Sequence, residues 1–176
     1  NNTRRKHKFM SDRPHHGGKR KRDHNERPQQ HMKQLTTIGW KEWASLPEWD
    51  LEIRAKADTG ARSSAIDCSN IEELPGDRVR FTVRLSRKTN RNLTREAPIA
   101  MRKHVRSSTG HGHDRLFVET TLRLAGREKK ILISLTCRKQ MIHRMLLGRE
   151  ALSGDFLVDS NVDHWATPRK KKSIYP

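Results

Sequence analysis

The chain has 176 residues, with 38 Lys or Arg against 20 Asp or Glu and a formal net charge of +18, a length that suits one ordinary domain rather than two. Hydrophobic residues make up 32%, and no window approaches the roughly 18 consecutive apolar residues of a spanning helix, so a transmembrane protein is not expected. Two cysteines, Cys68 and Cys137, cannot build a disulfide framework and neither belongs to a C-x-x-C pair, which points to free thiols in a reducing compartment.

In chain order, residues 1–34 come first, with eleven Lys or Arg against Asp12, Asp23 and Glu26, and only Phe9, Met10 and Met32 as hydrophobic residues. Such a segment buries too little apolar area to offset its ordering entropy, so a disordered basic tail is predicted. Its basic start runs into more basic residues, not into an apolar stretch with a cleavage site, and a cytoplasmic location is expected. Residues 35–167 form the predicted folded domain, and 168–176, with Arg169 and Lys170 to Lys172, a basic C-terminal tail.

Within the domain the hydrophobic period is mostly two. Thr36 to Glu42 and Ile53 to Ala57 read as short strands around a turn at Pro47. Arg78 to Leu85 alternates Val79, Phe81, Val83 and Leu85 against Arg78, Arg80, Thr82 and Arg84, the pattern of a half-buried strand. Lys88 to Asn92 reads as a loop, Ala97 to Arg106 as a candidate strand, and Arg106 to Asp114 as a polar loop. Leu116 to Leu124 and Lys130 to Thr136 alternate on either side of Ala125-Gly126-Arg127, a predicted hairpin. One short helix is expected at Arg149 to Leu152. Many short strands with turn signals favour an all-β barrel or sandwich.

The chemistry centres on Ile53 to Ile66, I-R-A-K-A-D-T-G-A-R-S-S-A-I. A strand delivers Asp58, Thr59 and Gly60 into a turn, and Ala61 is small enough for close backbone approach. A carboxylate held among backbone N–H groups is what an aspartyl hydrolase needs; the tripeptide by itself also suits a plain surface turn. Some ninety residues on comes Met145-Leu146-Leu147-Gly148-Arg149, an apolar run ending in Gly.

The pairing of D-T-G-A with a later apolar-apolar-Gly resembles retroviral-type aspartic proteases. A closer resemblance covers most of 38–159. I-G-W-K-E-W-A-S-L-P from Ile38, K-A-D-T-G-A-R-S-S-A from Lys56, T-T-L-R-L-A-G-R-E from Thr120 and R-M-L-L-G-R-E-A-L-S-G-D-F-L-V-D from Arg144 resemble the bacterial family labelled ATP-dependent zinc proteases. That resemblance implies a retropepsin-like closed barrel. It also implies company with ATP-grasp glutamate ligases that modify a small-subunit ribosomal protein.

The residues argue against the label's cofactors, since no G-x-x-x-x-G-K-[ST] loop and no H-E-x-x-H helix is present. His111 and His113, with Asp114, Cys68 or Cys137, make a metal set only on paper. Solvated histidines are the plainer reading, and Ser107 to Gly112 equally suits a mobile lid. Aspartate chemistry without obligatory zinc or ATP is therefore expected, with no metal ligands and no cofactor.

Two carboxylates about 3 Å apart cannot both ionise, so one keeps its proton while the pair activates water. The chain has one D-T-G, and the resemblance implies a homodimer that brings Asp58 to its symmetry mate. On that model Asp58 is general base and acid, Thr59 braces the turn, Gly60 and Ala61 allow close packing, and Leu146, Leu147 and Gly148 support it from behind. Asp67, Asp155 and Asp159 are the alternative second carboxylates if the chain acts as a monomer. Arg62 and Arg149 beside the two motifs, with Arg115, Arg123 and Arg127, would favour acidic peptides. The expected activity is removal of glutamate-rich tails.

A rival reading is a ribosome- or RNA-binding module, for which the basic tails are the electrostatic footprint. Of Trp40, Trp43, Trp49 and Trp165, the first three fit core or rim positions better than base-stacking platforms. A protease fold that has lost catalysis is a third reading, and the intact D-T-G-A argues against it.

Overall fold

The computed structural model describes residues 34–85, 91–106, 112–137 and 142–168. Both basic tails, all but their innermost residues, lie outside that set. The elements are β1 (Thr36–Gly39), β2 (Lys41–Leu46), β3 (Leu51–Ala57), β4 (Ser64–Leu74), β5 (Arg78–Arg84), β6 (Asn92–Pro98), β7 (Met101–Arg106), β8 (Gly112–Leu124), β9 (Arg127–Thr136), β10 (Met145–Leu147), the helix α1 (Arg149–Leu152) and β11 (Phe156–Asp159). A 3-10 turn at Pro47–Trp49 joins β2 to β3. No described helix is long and apolar enough to cross a membrane.

Six strands close into a barrel in the order β10, β3, β2, β8, β9, β4, and the ring is completed by β10 against β4. Closure removes the exposed edges of an open sheet. β5 and β6 extend outward from β4, β7 adds to β8, and β1 pairs in parallel with β11. The core inside the barrel holds Leu46, Ile53, Ile66, Val118, Leu122, Ile133, Met145 and Leu147, all buried. The expected all-β barrel with one short helix is the observed architecture.

The β8–β9 hairpin turns through Ala125 (φ 49°) and Gly126 (φ 75°), and Leu124 faces Arg127 across it. Two left-handed residues in a two-residue loop match the twist of the flanking strands. Trp49 is in the core, 5.0 Å from the Phe81 ring. Trp40 and Trp43 are half-buried on the rim and Trp165 is exposed.

Several boundaries differ from the sequence expectations. Thr36 to Glu42 is two strands, because β1 pairs with β11 while β2 pairs with β3, and the chain bends at Trp40. Ala97 to Arg106 is also two strands, broken at Ile99 and Ala100, whose N–H groups bond to Asp77 and Phe117. Arg106 and Gly112 to Asp114 belong to strands, which corrects the loop reading there; 107–111, including His111 and most of the proposed lid, lie outside the described residues. Asn92 opens β6, and 86–90 also lie outside them. β4 is an eleven-residue strand without a period-two signal. Its first five residues, Ser64 to Cys68, are all buried, and a strand covered on both faces shows no alternation.

Candidate active site

The site forms where β3 and β4 are parted. The chain leaves β3, turns through residues 58–63 and enters β4, yet these strands do not pair. β10 lies between them, parallel to β3 (Leu146 against Lys56, Leu147 against Ala57) and antiparallel to β4 (Leu146 against Ala65). The apolar run of the second motif is thus a barrel strand directly behind the Asp-Thr-Gly turn.

Backbone and short side-chain hydrogen bonds hold the ends of that turn. The Asp58 N–H donates to the Leu147 carbonyl at 2.9 Å. The Ala61 N–H is shared by the Asp58 carbonyl at 3.2 Å and its Oδ1 at 3.3 Å, the self-bonded turn that Asp favours. Ala61 and Arg62 carbonyls then accept from the N–H groups of Arg149 (2.9 Å) and Glu150 (3.0 Å), tying the turn to the start of α1. The Gly148 N–H donates to Ser64 Oγ at 3.2 Å, and Ser134 Oγ donates to the Ser64 carbonyl at 3.0 Å. A Cβ at Gly148 would lie 2.5 Å from the Ser63 carbonyl carbon, so only glycine fits. Asp58 is half-buried, and Thr59 and Gly60 are exposed.

Asp58, Thr59, Gly60, Ala61, Arg62, Leu147, Gly148 and Arg149 therefore sit together, with Leu146 half-buried beside Lys56. The arginines have specific partners. Arg149 Nη1 donates to the Thr59 and Gly60 carbonyls at 3.0 and 2.9 Å, which makes it a strut of the turn. Arg62 Nε pairs with Glu150 Oε1 at 2.7 Å in the open. Glu150 and Ser64 were not singled out in the sequence, where nothing marks them before the fold brings 62–64 against 148–150.

The alternative carboxylates are engaged elsewhere. Asp67 is fully buried in β4 and pairs with Arg84 at 3.2 Å and with Arg144. Asp155 pairs with Lys129 at 3.0 Å, and Asp159 Oδ1 accepts from the Asn161 N–H at 2.8 Å. Arg123 pairs with Glu128, Arg127 bonds the Thr36 hydroxyl and the Gln34 carbonyl, and Arg115 lines a separate pocket with Glu73 and Cys137.

The zinc of the family label finds no fitting ligand set among the described residues, where no three His, Cys, Asp or Glu side chains converge. Burial first, then the Asp67 carboxylate, pushes the Cys68 thiol far above its usual range, away from the thiolate that zinc requires. Asp114 is bonded to His104 at 2.8 Å, and the His113 side chain lies outside the described residues.

A closed barrel whose Asp-Thr-Gly turn is backed by an inserted apolar strand ending in glycine defines the retropepsin-like class. A family model described as "Retropepsin-like aspartic endopeptidase RimB" matches residues 37–168; the chain belongs to this RimB-like family. Two similar curated proteins are each named "Probable alpha-L-glutamate ligase". One, from Shewanella pealeana, is 33% identical over 127 residues, 69% of this chain and 28% of that protein. The other, from Parasynechococcus marenigrum, is 35% identical over 138 residues, 76% of this chain and 30% of that protein. This chain thus spans less than a third of the length of those relatives. A crystal structure of Lpg0085 from Legionella pneumophila, of unknown function, has 26% identity and a TM-score of 0.63, covering 76% of this chain and 99% of that one.

Proposed function

We propose that the chain is an aspartic-type peptidase that trims glutamate-rich tails from an acidic protein substrate in the cytoplasm. The observation that carries this reading is the half-buried Asp58 carboxylate, set in a turn clamped by Leu147, Arg149 and Glu150. Such a rigid support is what a catalytic carboxylate requires.

On this reading a homodimer brings Asp58 against its symmetry mate. One carboxylate is ionised and takes a proton from a water between them. The water oxygen attacks the scissile carbonyl carbon as the second, protonated carboxyl gives its proton to the carbonyl oxygen. Collapse of the tetrahedral intermediate breaks the C–N bond, and the nitrogen leaves as an amine carrying a proton from the dyad.

Acidic substrate choice is supported by the chain's charge of +18 and by the relatives named as glutamate ligases. A hydrolase acting on the bond that a ligase makes is a coherent pair of activities. A ribosomal protein modified by such a ligase is the proposed target, with the basic tails as ribosome contacts. The test compares wild type with Asp58→Asn, free of metal and ATP, on a protein ending in oligoglutamate, with products weighed by mass spectrometry. Trimming by the wild type alone supports the peptidase. Equal products from both, or none from either, overturn it in favour of a ribosome-binding role. Sedimentation showing only monomers under fully active conditions would remove the dimer.

A further inference from the structure

Beside the Asp58 turn, the outer face of β2 and β3 gathers cations and indoles. Strand alternation sends Ala44, Leu46, Ile53 and Ala55 into the core and leaves Lys41, Trp43, Arg54 and Lys56 outside. In register, Lys41 faces Lys56 and Trp43 faces Arg54. His143, just ahead of β10, meets the Trp40 ring edge-on with centroids 5.8 Å apart. The surface is concave, a pocket of about 370 Å³ whose walls include Trp43, Arg54, His143, Arg144 and the single acid Glu52. Lys41 is taken by Asp163 and Arg144 by Asp67. Arg54 and Lys56 have no carboxylate partner among the described residues.

We infer that this face is a subsite that holds the carboxylates of an acidic peptide while its chain runs on to Asp58. The inference rests on the peptidase reading for its direction but not for the binding itself. Two cations on one strand, Arg54 in the concave wall and Lys56 beyond it towards the turn, neither paired with a carboxylate among the described residues, call for an anion. The indoles argue for a peptide over a nucleic acid, because they are already covered: Lys41 Nζ sits 4.5 Å from the Trp40 centroid and Arg54 5.9 Å from that of Trp43, with His164 on the same indole at 6.1 Å. A base stacking on those faces would have to displace the cations. A carboxylate would not.

Position sets the register. The Trp40 carbonyl accepts from the Ala57 N–H at 2.9 Å, so the face adjoins the first residue of the turn. Arg54 precedes Asp58 by four residues, roughly 13 Å along a strand, the reach of about four extended peptide residues. The subsite therefore reads acidic side chains about two to four positions from the bond cut. Partial burial first, then Lys56, Lys41 and Arg54, holds His143 below the usual imidazole range, and a bound carboxylate would draw that pKa upward.

The test measures fluorescein-labelled hexaglutamate binding to the Asp58→Asn chain, with and without Arg54→Gln and Lys56→Gln, each variant checked for native thermal unfolding. The expected result is a Kd raised about five-fold per lost cation, the scale of an exposed charge pair, with recovery in Arg54→Lys and Lys56→Arg. The His143 pKa, followed by NMR, should rise when peptide is added. In the active chain the double variant should raise KM for a hexaglutamate-tailed substrate and leave kcat unchanged. Unchanged hexaglutamate binding overturns the subsite, as does a loss confined to oligouridylate. Weakened binding in a protein whose wild type cleaves nothing supports the subsite and overturns the peptidase; cleavage with unchanged KM does the reverse.

Discussion

The guanidinium of Arg149 donates from one nitrogen to the carbonyls of both Thr59 and Gly60, at 3.0 and 2.9 Å. Two peptide planes of the Asp-Thr-Gly turn are thus pinned by a side chain from a motif about ninety residues away. Arg149→Ala should lower kcat by up to about 100-fold, the cost of a small misplacement of a catalytic group, with little change in KM. Steady-state kinetics distinguish this from direct substrate binding, which would appear as a KM increase.

Gly148 and Gly60 should respond differently to a methyl group. A Cβ at Gly148 meets the Ser63 backbone at 2.5 Å, whereas at Gly60 the nearest atom is Asp58 Oδ1 at 3.4 Å, an ordinary contact. Gly148→Ala should therefore cost about 2–3 kcal/mol as overpacking against backbone. Gly60→Ala should stay within about 1 kcal/mol. Urea denaturation of both variants provides the comparison.

Asp67 is buried between Arg84 and Arg144, and its removal leaves two guanidinium groups without their counter-charge. Asp67→Ala should destabilise the fold by about 3–5 kcal/mol, the range for a broken buried pair. Activity per folded molecule should persist at temperatures well below the lowered Tm. Loss of activity in fully folded protein would restore Asp67 as the second carboxylate.

Acid should loosen the C-terminal segment. Burial would raise the Glu42 carboxyl pKa, but a hydrogen bond from the Thr167 hydroxyl and N–H bonds from Ala166, Gly39 and Thr167 outweigh it, and the net shift is downward from 4.5. Glu48 is also lowered: burial opposes, and bonds from Thr121 and Lys130 prevail. A carboxyl with a depressed folded pKa contributes stability that is present above its unfolded pKa and lost as pH falls through the folded one. Melting temperature should therefore decline below pH 4.5. Glu42→Gln should flatten that decline, as read by calorimetry across pH 2–7.

The β8–β9 turn places Ala125 at φ 49°, a left-handed conformation that costs an alanine about 1 kcal/mol. Ala125→Asn should raise stability by about 0.5–1 kcal/mol, since Asn tolerates both central positions of this turn. Thermal unfolding measures the gain.

Much of this was legible in the chain. Alternation marked β5, β8 and β9 because their core-facing positions are apolar at every second residue, even though Thr82, Phe117, Thr121, Ser134 and Thr136 on their other faces are buried as well, and Asp-Thr-Gly with Leu-Leu-Gly marked the two halves of the site. β4 and β10 were not legible as strands. β4 is first enclosed on both faces and then exposed, so its pattern changes midway, and β10 is a three-residue strand. The two strand breaks, at Trp40 and at Ile99 with Ala100, follow from changes of pairing partner that leave no local signature.

The residues by themselves determined an all-β barrel or sandwich, a carboxylate in a tight turn, a glycine nearby and a strongly cationic chain, because side-chain period, turn propensity and charge are local properties; the closed barrel followed only from the family resemblance. Tertiary structure alone decided that Arg149 is a strut of the turn, that Arg62 pairs with Glu150, that Asp67 is a buried ion-pair partner, and that Arg54 and Lys56 meet no carboxylate among the described residues. Each of those depends on which groups a closed barrel brings within hydrogen-bonding distance across ten to ninety residues of chain. Electrostatic pairing falls off too steeply with distance to be read from spacing in sequence.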